Sequence, residues 1–181
     1  MVKELEVKIL NIDIESMEKR ITKLGAKLIA REEQVNTLID SNTKPIKSFL
    51  DGYLRIRETK DLLNNTENTT LTLKKNIVNN EIRENIELNT GIESKDVMLN
   101  ILIDLGFDKI EIGHKKRTSY MFEGARIDLD IWDINTYPYP YMEIEVESKD
   151  DLNKIIEILQ IDRNNVSLKS IAELRNELEK K

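Results

Sequence analysis

Val2-Lys3-Glu4-Leu5-Glu6-Val7-Lys8-Ile9 begins the chain with charged and apolar residues in alternation. Successive side chains of a β-strand point to opposite faces, so Glu4, Glu6 and Lys8 share one face of the strand that this pattern predicts. The apolar residues between them form the other face. The segment therefore predicts a strand with one charged face and one apolar face.

The same alternation returns in six later segments. An ordinary half-exposed sheet, with its polar face in water, also alternates. That interpretation does not predict the observed sorting, in which acidic pairs lie in the first and last strands and basic pairs lie between them. A closed barrel with its polar face inside would gather all of these residues in one site. The segments are Tyr53-Leu54-Arg55-Ile56-Arg57, Thr70-Leu71-Thr72-Leu73-Lys74, Arg83-Glu84-Asn85-Ile86-Glu87-Leu88, Lys115 with Arg117, Arg126-Ile127-Asp128-Leu129-Asp130-Ile131 and Met142-Glu143-Ile144-Glu145-Val146-Glu147.

Eight strands are predicted, joined in part by short turns. Asn79-Asn80 predicts a tight hairpin and Glu123-Gly124 a similar turn, because Asn and Gly tolerate positive φ. An even number of antiparallel strands can close without leaving edges. We therefore predict an α+β fold with a closed eight-stranded antiparallel β-barrel, a tunnel with a charged interior that helices cover outside. The predicted strands span 2–10, 26–40, 53–60, 69–77, 81–88, 108–123, 125–133 and 141–148.

Helices are predicted from apolar residues at a spacing of three and four. A C-terminal helix is predicted around 168–180, and its Glu- and Lys-rich sequence is interpreted as a solvated amphipathic face. The other helices are expected to cover the outer face of the barrel. Their apolar stripes are Ile14, Met17, Ile21 and Leu24, then Val97, Ile101 and Leu105, then Leu152, Ile155, Ile156 and Leu159.

Composition limits the class of protein. The chain has 181 residues, of which 34% are charged and 39% hydrophobic, and we predict a single domain over residues 1–181. A net charge of −6 disfavours nucleic acid and acidic membranes as partners. The absence of cysteine excludes disulfides, thiolate zinc sites and cysteine nucleophiles. The charged N-terminal strand and the lack of a long apolar run predict no signal peptide, no membrane span and a cytoplasmic protein.

The inward-facing charges predict a site for metal ions and a polyanion. Mg²⁺ and Mn²⁺ prefer carboxylate oxygens, and Arg and Lys neutralise phosphates. Charges gathered inside a barrel must neutralise one another or a ligand, because isolated buried charges are costly. One or two metal ions are predicted on Glu4, Glu6, Asp130, Glu143 and Glu145. Phosphates are predicted on Lys8, Arg55, Arg57, Lys74, Arg83, Lys115 and Arg117.

These segments, taken in order, resemble the CYTH superfamily, the triphosphate tunnel metalloenzymes. The resemblance extends to about residue 150. It departs at Asn85, at Ser170-Ile171 and in the aromatic segment 132–141, which differs from the corresponding link of many bacterial cyclases. The matching motifs are Glu4-Leu5-Glu6-Val7-Lys8, Leu54-Arg55-Ile56-Arg57, Leu73-Lys74, Arg83 with Glu87, Lys115-Lys116-Arg117, Leu129-Asp130 and Met142-Glu143-Ile144-Glu145.

The resemblance implies an eight-stranded tunnel that binds triphosphates with a divalent metal. It places the four glutamates above on the metal side and the seven cations on the phosphates. Asp130 is implied to be a metal ligand or to position water. Lys8 and Asp130 are assigned catalytic roles, and Glu87 and Asp128 supporting ones. A homodimer is also possible by this resemblance.

Three functions are compatible with these residues. The first is a Mg²⁺- or Mn²⁺-dependent triphosphate phosphohydrolase acting on inorganic tripolyphosphate or a nucleoside triphosphate. The second is a class IV-type adenylate cyclase that converts ATP to cyclic AMP and pyrophosphate. The third is a non-catalytic polyphosphate or nucleotide binder, and a plain β-rich scaffold is the remaining alternative. Thiamine triphosphate is a further possible substrate.

The other candidates for chemistry receive plainer interpretations. His114, the sole histidine, faces away from Lys115 and Arg117 and is interpreted as solvated or packed under a helix. Trp132, Tyr137, Tyr139 and Tyr141 are interpreted as packing at the end of the barrel, with stacking on a base as the alternative.

Overall fold

The computed structural model describes residues 2–77 and 83–180, with side chains for 5–76 and 84–180. Within these residues the chain forms nine strands and four α-helices. The strands are β1 Val2–Ile9, β2 Lys27–Asp40, β3 Gly52–Asp61, β4 Thr66–Ile77, β5 Arg83–Gly91, β6 Lys109–Phe122, β7 Ala125–Trp132, β8 Tyr141–Val146 and β9 Val166–Ser167. The helices are α1 Ile14–Lys23, α2 Lys95–Asp104, α3 Lys149–Ile158 and α4 Ile171–Leu178.

The first eight strands close into one antiparallel barrel. They run in the order β5-β4-β3-β2-β6-β7-β8-β1, and β1 pairs with β5 to complete the ring. The short β9 pairs with the last residues of β1. The predicted closed eight-stranded barrel is confirmed.

Two connections show how the sequence shapes the barrel. Glu123 and Gly124 have φ of 51° and 83°, so the predicted turn between β6 and β7 is confirmed. Residues 62–65 form the turn between β3 and β4, which makes this hairpin tighter than the 61–68 gap between the predicted strands. The predicted Asn79-Asn80 hairpin lies outside the described residues.

The main apolar core lies between the outer wall of the barrel and helices α1 and α3. Ile21 of α1 and Ile155 of α3 are fully buried, and they pack with Ile127 and Ile144 of the barrel. Complete burial of such a side chain stabilises the fold by about 1.5–3 kcal/mol. These contacts confirm the predicted α3 stripe and, on α1, Ile14, Met17 and Ile21; Leu24, the last residue of the predicted α1 stripe, is 46% exposed and lies outside this core.

Helix α2 turns a different face to the barrel than predicted. Val97, Ile101 and Leu105 are 59%, 48% and 69% exposed, whereas Leu102 is buried against Ile39 and Ile56 of β2 and β3. Six of the ten positions of α2 are apolar, so the spacing alone did not identify the buried face. The predicted stripe on this helix was wrong.

Helix α4 lies at one end of the barrel. Leu174 packs against Tyr137 and Tyr141, both of which are buried. Packing of these two tyrosines at the barrel end, the interpretation favoured above, is confirmed. A capping box between Ser170 and Glu173 fixes the start of the helix. None of the helices in the described part of the chain is long and apolar enough to cross a bilayer.

The burial of α2 predicts unequal effects of two neighbouring substitutions. Leu102→Ala should lower the free energy of unfolding by about 2–3 kcal/mol, because it leaves a cavity against β2 and β3. Ile101→Ala, on the exposed side, should change it by less than about 0.5 kcal/mol. Urea denaturation of both variants measures the difference, and equal losses would contradict the orientation of α2.

Candidate functional site

A cavity of about 640 Å³ lies inside the barrel and is lined by charged side chains. Asp130, which is fully buried, lies behind this lining and contacts it. The side chains of Glu4 and Arg83 lie outside the described residues. The predicted site residues that line the cavity are Glu6, Lys8, Arg55, Arg57, Lys74, Glu87, Lys115, Arg117, Asp128, Glu143 and Glu145. The alternating pattern therefore brought the predicted set together.

Arg117 of β6 joins three carboxylates on two neighbouring strands. Its Nε and Nη2 lie 2.7 and 2.6 Å from the two oxygens of Asp130, and Nη1 lies 2.6 Å from Asp128. Nη2 also lies 2.5 Å from Glu143 of β8. Although burial alone would lower it, the pKa of Arg117 is raised by these three charges. The charge of Arg117 is consequently balanced by carboxylates of the protein itself.

Lys115 shares Asp130 with Arg117 and is less well compensated. Its ammonium lies 3.0 Å from Asp130 and 5.2 Å from the centre of the Trp132 ring. Burial, followed by repulsion from Arg117, lowers the pKa of Lys115 to about 7. Burial would raise the pKa of Asp130, but Arg117 and Lys115 outweigh it and hold that pKa below its usual range.

The wall formed by β1, β4, β5 and β8 carries its own ion pairs. Lys8 lies 3.0 Å from Glu143, and Lys74 lies 3.0 Å from Glu87 and 3.4 Å from Glu6. Burial opposes ionisation of Glu143, yet Lys8 and Arg117 hold its pKa well below the usual range. On this wall, Lys8 and Lys74 are therefore each ion-paired with a carboxylate.

Asn85, the departure from the family pattern noted above, belongs to the same wall. It is fully buried, and its Nδ2 donates to Glu6 Oε1 over 2.9 Å. An amide at this position gives Glu6 a neutral partner where a carboxylate would repel it.

The two arginines of β3 differ from the other cations. Among the described side chains, neither Arg55 nor Arg57 forms an ion pair, although both line the cavity. Arg57 donates from Nε to Asn36 Oδ1 over 2.8 Å. Burial, with repulsion from Arg55 and Arg117, lowers the pKa of Arg57 to about 9. Among the side chains that the structure describes, the positive charge of these two arginines therefore has no carboxylate in contact.

The carboxylates on β1 and β8 suit a hard divalent cation by their chemistry. Glu6 lies directly opposite Glu145, and both side chains line the cavity. Like charges facing each other across two strands repel, and a cation between them would offset this repulsion. Among the described residues, no three acidic or histidine side chains converge closely enough to hold one ion. The donor types fit Mg²⁺ or Mn²⁺.

Sequence reasoning did not assign several residues of the lining to the site, although it named Trp132 as an alternative stacking partner for a base. Asn36 of β2, Tyr53 of β3 and Trp132 of β7 face the cavity, as does Arg126. Asn36 shows the same period of two as the charged strands, which was the available signal. His114 is exposed, in agreement with its interpretation as solvated.

A hydrogen bond and a cation–ring contact link the residues at the aromatic end of the tunnel. Trp132 Nε1 donates to the Tyr141 hydroxyl over 2.8 Å, and the Lys8 ammonium lies 5.9 Å from the centre of the Tyr141 ring. Ser170 and Arg175 of α4 line the cavity at this end. Helix α4 is therefore part of the site.

The fold and the site define a closed antiparallel β-tunnel with a charged lumen. The chain belongs to the CYTH domain family, whose family model matches residues 2–171. A search of curated proteins gives no match.

Solved structures share the fold over nearly the whole chain. The PH1819 protein of Pyrococcus horikoshii is 23% identical with a TM-score of 0.79, covering 98% of this chain and 99% of that one. A putative adenylate cyclase from Vibrio parahaemolyticus is 12% identical with a TM-score of 0.68, covering 96% and 97%. A putative adenylyl cyclase from Hippeastrum, described as having a dominant triphosphatase activity, is 13% identical with a TM-score of 0.63, covering 94% and 91%. At these identities the likeness shows a common fold.

The lowered pKa of Lys115 predicts a pH dependence of stability. The unfolded chain keeps this lysine protonated up to a pH near 10.5, whereas the folded protein does so only up to about 7. Between these values the unfolded state binds more protons, so the contribution of Lys115 to stability rises with pH. The Tm of Lys115→Met minus the Tm of the parent protein should therefore be largest at pH 6.5 and should decrease towards pH 9.5.

Thermal unfolding at several pH values measures this effect. Lys116→Met is the matched control, because Lys116 is the next residue of β6 and is exposed on the outer face. Its Tm difference from the parent should stay constant over the same range. A Lys115→Met difference that is equally constant would contradict the prediction.

Proposed function

We propose that this protein is a divalent-metal-dependent triphosphate phosphohydrolase that acts on inorganic tripolyphosphate or a nucleoside triphosphate. The observation that carries the proposal is the pair of β3 arginines, which have no carboxylate partner among the described side chains, in a cavity where Lys8, Lys74 and Arg117 are ion-paired. A bound polyanion would supply the missing negative charge. The dominant triphosphatase activity described for the Hippeastrum neighbour supports the same reaction class.

Arg55 and Arg57 are proposed to bind phosphate oxygens first. The planar guanidinium group matches the spacing of two phosphate oxygens, and such charge-assisted hydrogen bonds are about twice as strong as neutral ones. Lys115 of β6 also lines the cavity. A polyanion bound beside it would raise its pKa and favour its protonated form. Lys74 and Arg83 are proposed as further phosphate contacts, as the resemblance to the family implies.

The carboxylates of β1 and β8 are proposed to hold the metal. Glu4, Glu6, Glu143 and Glu145 are the candidates, with Asp130 as a further oxygen donor or a residue that positions water. A Mg²⁺ or Mn²⁺ ion, when bound, would neutralise charge on the phosphate oxygens. Asp130 already holds Arg117 and Lys115 in place, which is a second role for its carboxylate.

Hydrolysis needs positioning and charge stabilisation more than covalent chemistry. A water molecule attacks the terminal phosphorus in line, the new P–O bond forms, and the bond to the bridging oxygen breaks. The leaving group keeps the bridging oxygen, and the protons of the water pass to the product phosphates or to solvent. The products are orthophosphate with pyrophosphate from tripolyphosphate, or orthophosphate with a nucleoside diphosphate from a nucleoside triphosphate. Lys8, held 3.0 Å from Glu143 and facing the cavity, is proposed to stabilise the charge that develops on the leaving oxygen.

A second candidate is an adenylate cyclase reaction. The observation that favours it is the aromatic end of the cavity, where Tyr53 and Trp132 offer rings to a base. In that reaction the ribose 3′-hydroxyl of ATP attacks the α-phosphorus and pyrophosphate leaves. The neighbour from Vibrio parahaemolyticus is described as a putative adenylate cyclase.

Product analysis by phosphorus NMR decides between these reactions. The protein is incubated with tripolyphosphate and, separately, with ATP, each with Mg²⁺ or Mn²⁺. We expect orthophosphate and pyrophosphate from tripolyphosphate and no cyclic AMP from ATP. Cyclic AMP with pyrophosphate would establish the cyclase instead, and an absence of products with retained binding would favour a non-catalytic binder.

Removal of one proposed metal ligand should abolish most of the activity. Glu6→Ala is expected to lower metal-dependent turnover by roughly 100-fold or more, because even indirect partners of a metal ion cost about 10- to 100-fold. Glu147→Ala, an exposed glutamate just beyond β8, should turn over like the parent protein. Steady-state phosphate release measures both, and full activity of Glu6→Ala would show that the metal site is elsewhere.

A further inference from the structure

Strand β2 contributes an amide, that of Asn36, to the cavity lining, where its neighbours β3 and β6 contribute charges. Asn36 is 2% exposed and lines the cavity directly opposite Arg57 of β3. Its Oδ1 accepts the hydrogen bond from Arg57 Nε. Its Nδ2 is buried and has no hydrogen-bond partner in the described part of the chain.

An unsatisfied donor of this kind needs an explanation. A buried polar group without a partner destabilises a protein, and most buried side-chain polar atoms have partners. Arg55 Nε, on the neighbouring strand, is also buried and has no hydrogen-bond partner among the described residues. Both side chains belong to the cavity lining, and so does Arg57. Within residues 5–76 and 84–180, the β2–β3 wall therefore presents two donors without partners beside Arg57, which no carboxylate contacts.

The partner of Arg57 matters because it is neutral. Arg117 is oriented by carboxylates that also cancel its charge. The amide oxygen of Asn36 fixes the plane of the Arg57 guanidinium and leaves its charge uncancelled. A carboxylate at position 36 would orient Arg57 equally well and would remove the attraction for an anion.

We propose that Asn36 is a phosphate-binding residue of the tunnel: its Oδ1 orients Arg57, and its Nδ2 donates a hydrogen bond to an oxygen of the bound triphosphate. This inference rests on the proposed function and deepens it. Asn36 and Arg57 then act together. The amide orients the guanidinium group and donates one hydrogen bond to the ligand, and the guanidinium group supplies the positive charge.

Calorimetric titration with inorganic tripolyphosphate at fixed Mg²⁺ tests the proposal without relying on turnover. Asn36→Asp should weaken binding by roughly 10- to 100-fold, because it loses the donor and pairs Arg57 internally. Asn36→Ala should weaken binding by about 10-fold. Asn100→Asp adds the same charge on the exposed side of α2 and should bind like the parent protein.

Thermal unfolding of the same variants separates binding from structure. Asn36→Asp should have an unchanged or higher Tm, because the new carboxylate pairs with Arg57, while its affinity falls. A purely structural Asn36 would move the two quantities in the same direction or leave affinity unchanged. Asn36→Ala keeps the test valid if the aspartate variant folds poorly.

The Arg57→Ala variant completes a double-mutant cycle with Asn36→Ala. Because Asn36 acts partly through Arg57, the combined loss of affinity should be smaller than the product of the single losses. Parent-like binding by both Asn36 variants would overturn this inference alone. A parent protein that binds no tripolyphosphate would overturn the proposed function and this inference with it.

Discussion

The tunnel depends on the contacts between Arg117 and three carboxylates on β7 and β8. Charges inside a closed barrel cannot remain unpaired, because the cost of removing an ion from water is several kcal/mol even after relaxation. Arg117 offsets this cost for Asp128, Asp130 and Glu143 together. Its partners lie on the two strands that follow it, so the same contacts also fix the register of this half of the barrel.

Pairing of the remaining charges divides the lumen into two sides. On β1, β4, β5 and β8 the cations and carboxylates neutralise one another, as Lys74 does with Glu87. Among the described side chains, Arg55 and Arg57 of β3 have no carboxylate in contact, and the amide oxygen of Asn36 accepts a hydrogen bond from Arg57. The fold tolerates this unequal pairing of charges because its main apolar core lies outside the barrel. Helices α1 and α3 supply the hydrophobic stabilisation there.

Much of this could be predicted from the sequence because strand alternation has a period of two. The facing of Arg55 and Glu143 follows from their neighbours alone, and closure follows from the number of strands. The partner of each charge could not be predicted, since it depends on the register between strands that are distant in the chain. The buried face of α2 was mispredicted because Leu102 and Ile101 lie in a nearly continuous apolar run. Asn36 was overlooked because a neutral side chain carries no charge signal.

Which cations are available to a ligand is thus decided by cross-strand register, and the count of inward-facing charges alone cannot decide it. Seven cations share the predicted facing, yet Arg117 is held by three carboxylates and Arg57 by an amide oxygen. A triphosphate entering this tunnel would meet uncompensated charge on β3 and, opposite it, the facing pair Glu6 and Glu145. Glu6 of that pair is already contacted by Lys74 and by the amide of Asn85. Among the described side chains, the lumen therefore sets two arginines without a contacting carboxylate against a wall of ion-paired charges, and cross-strand register alone produces this separation.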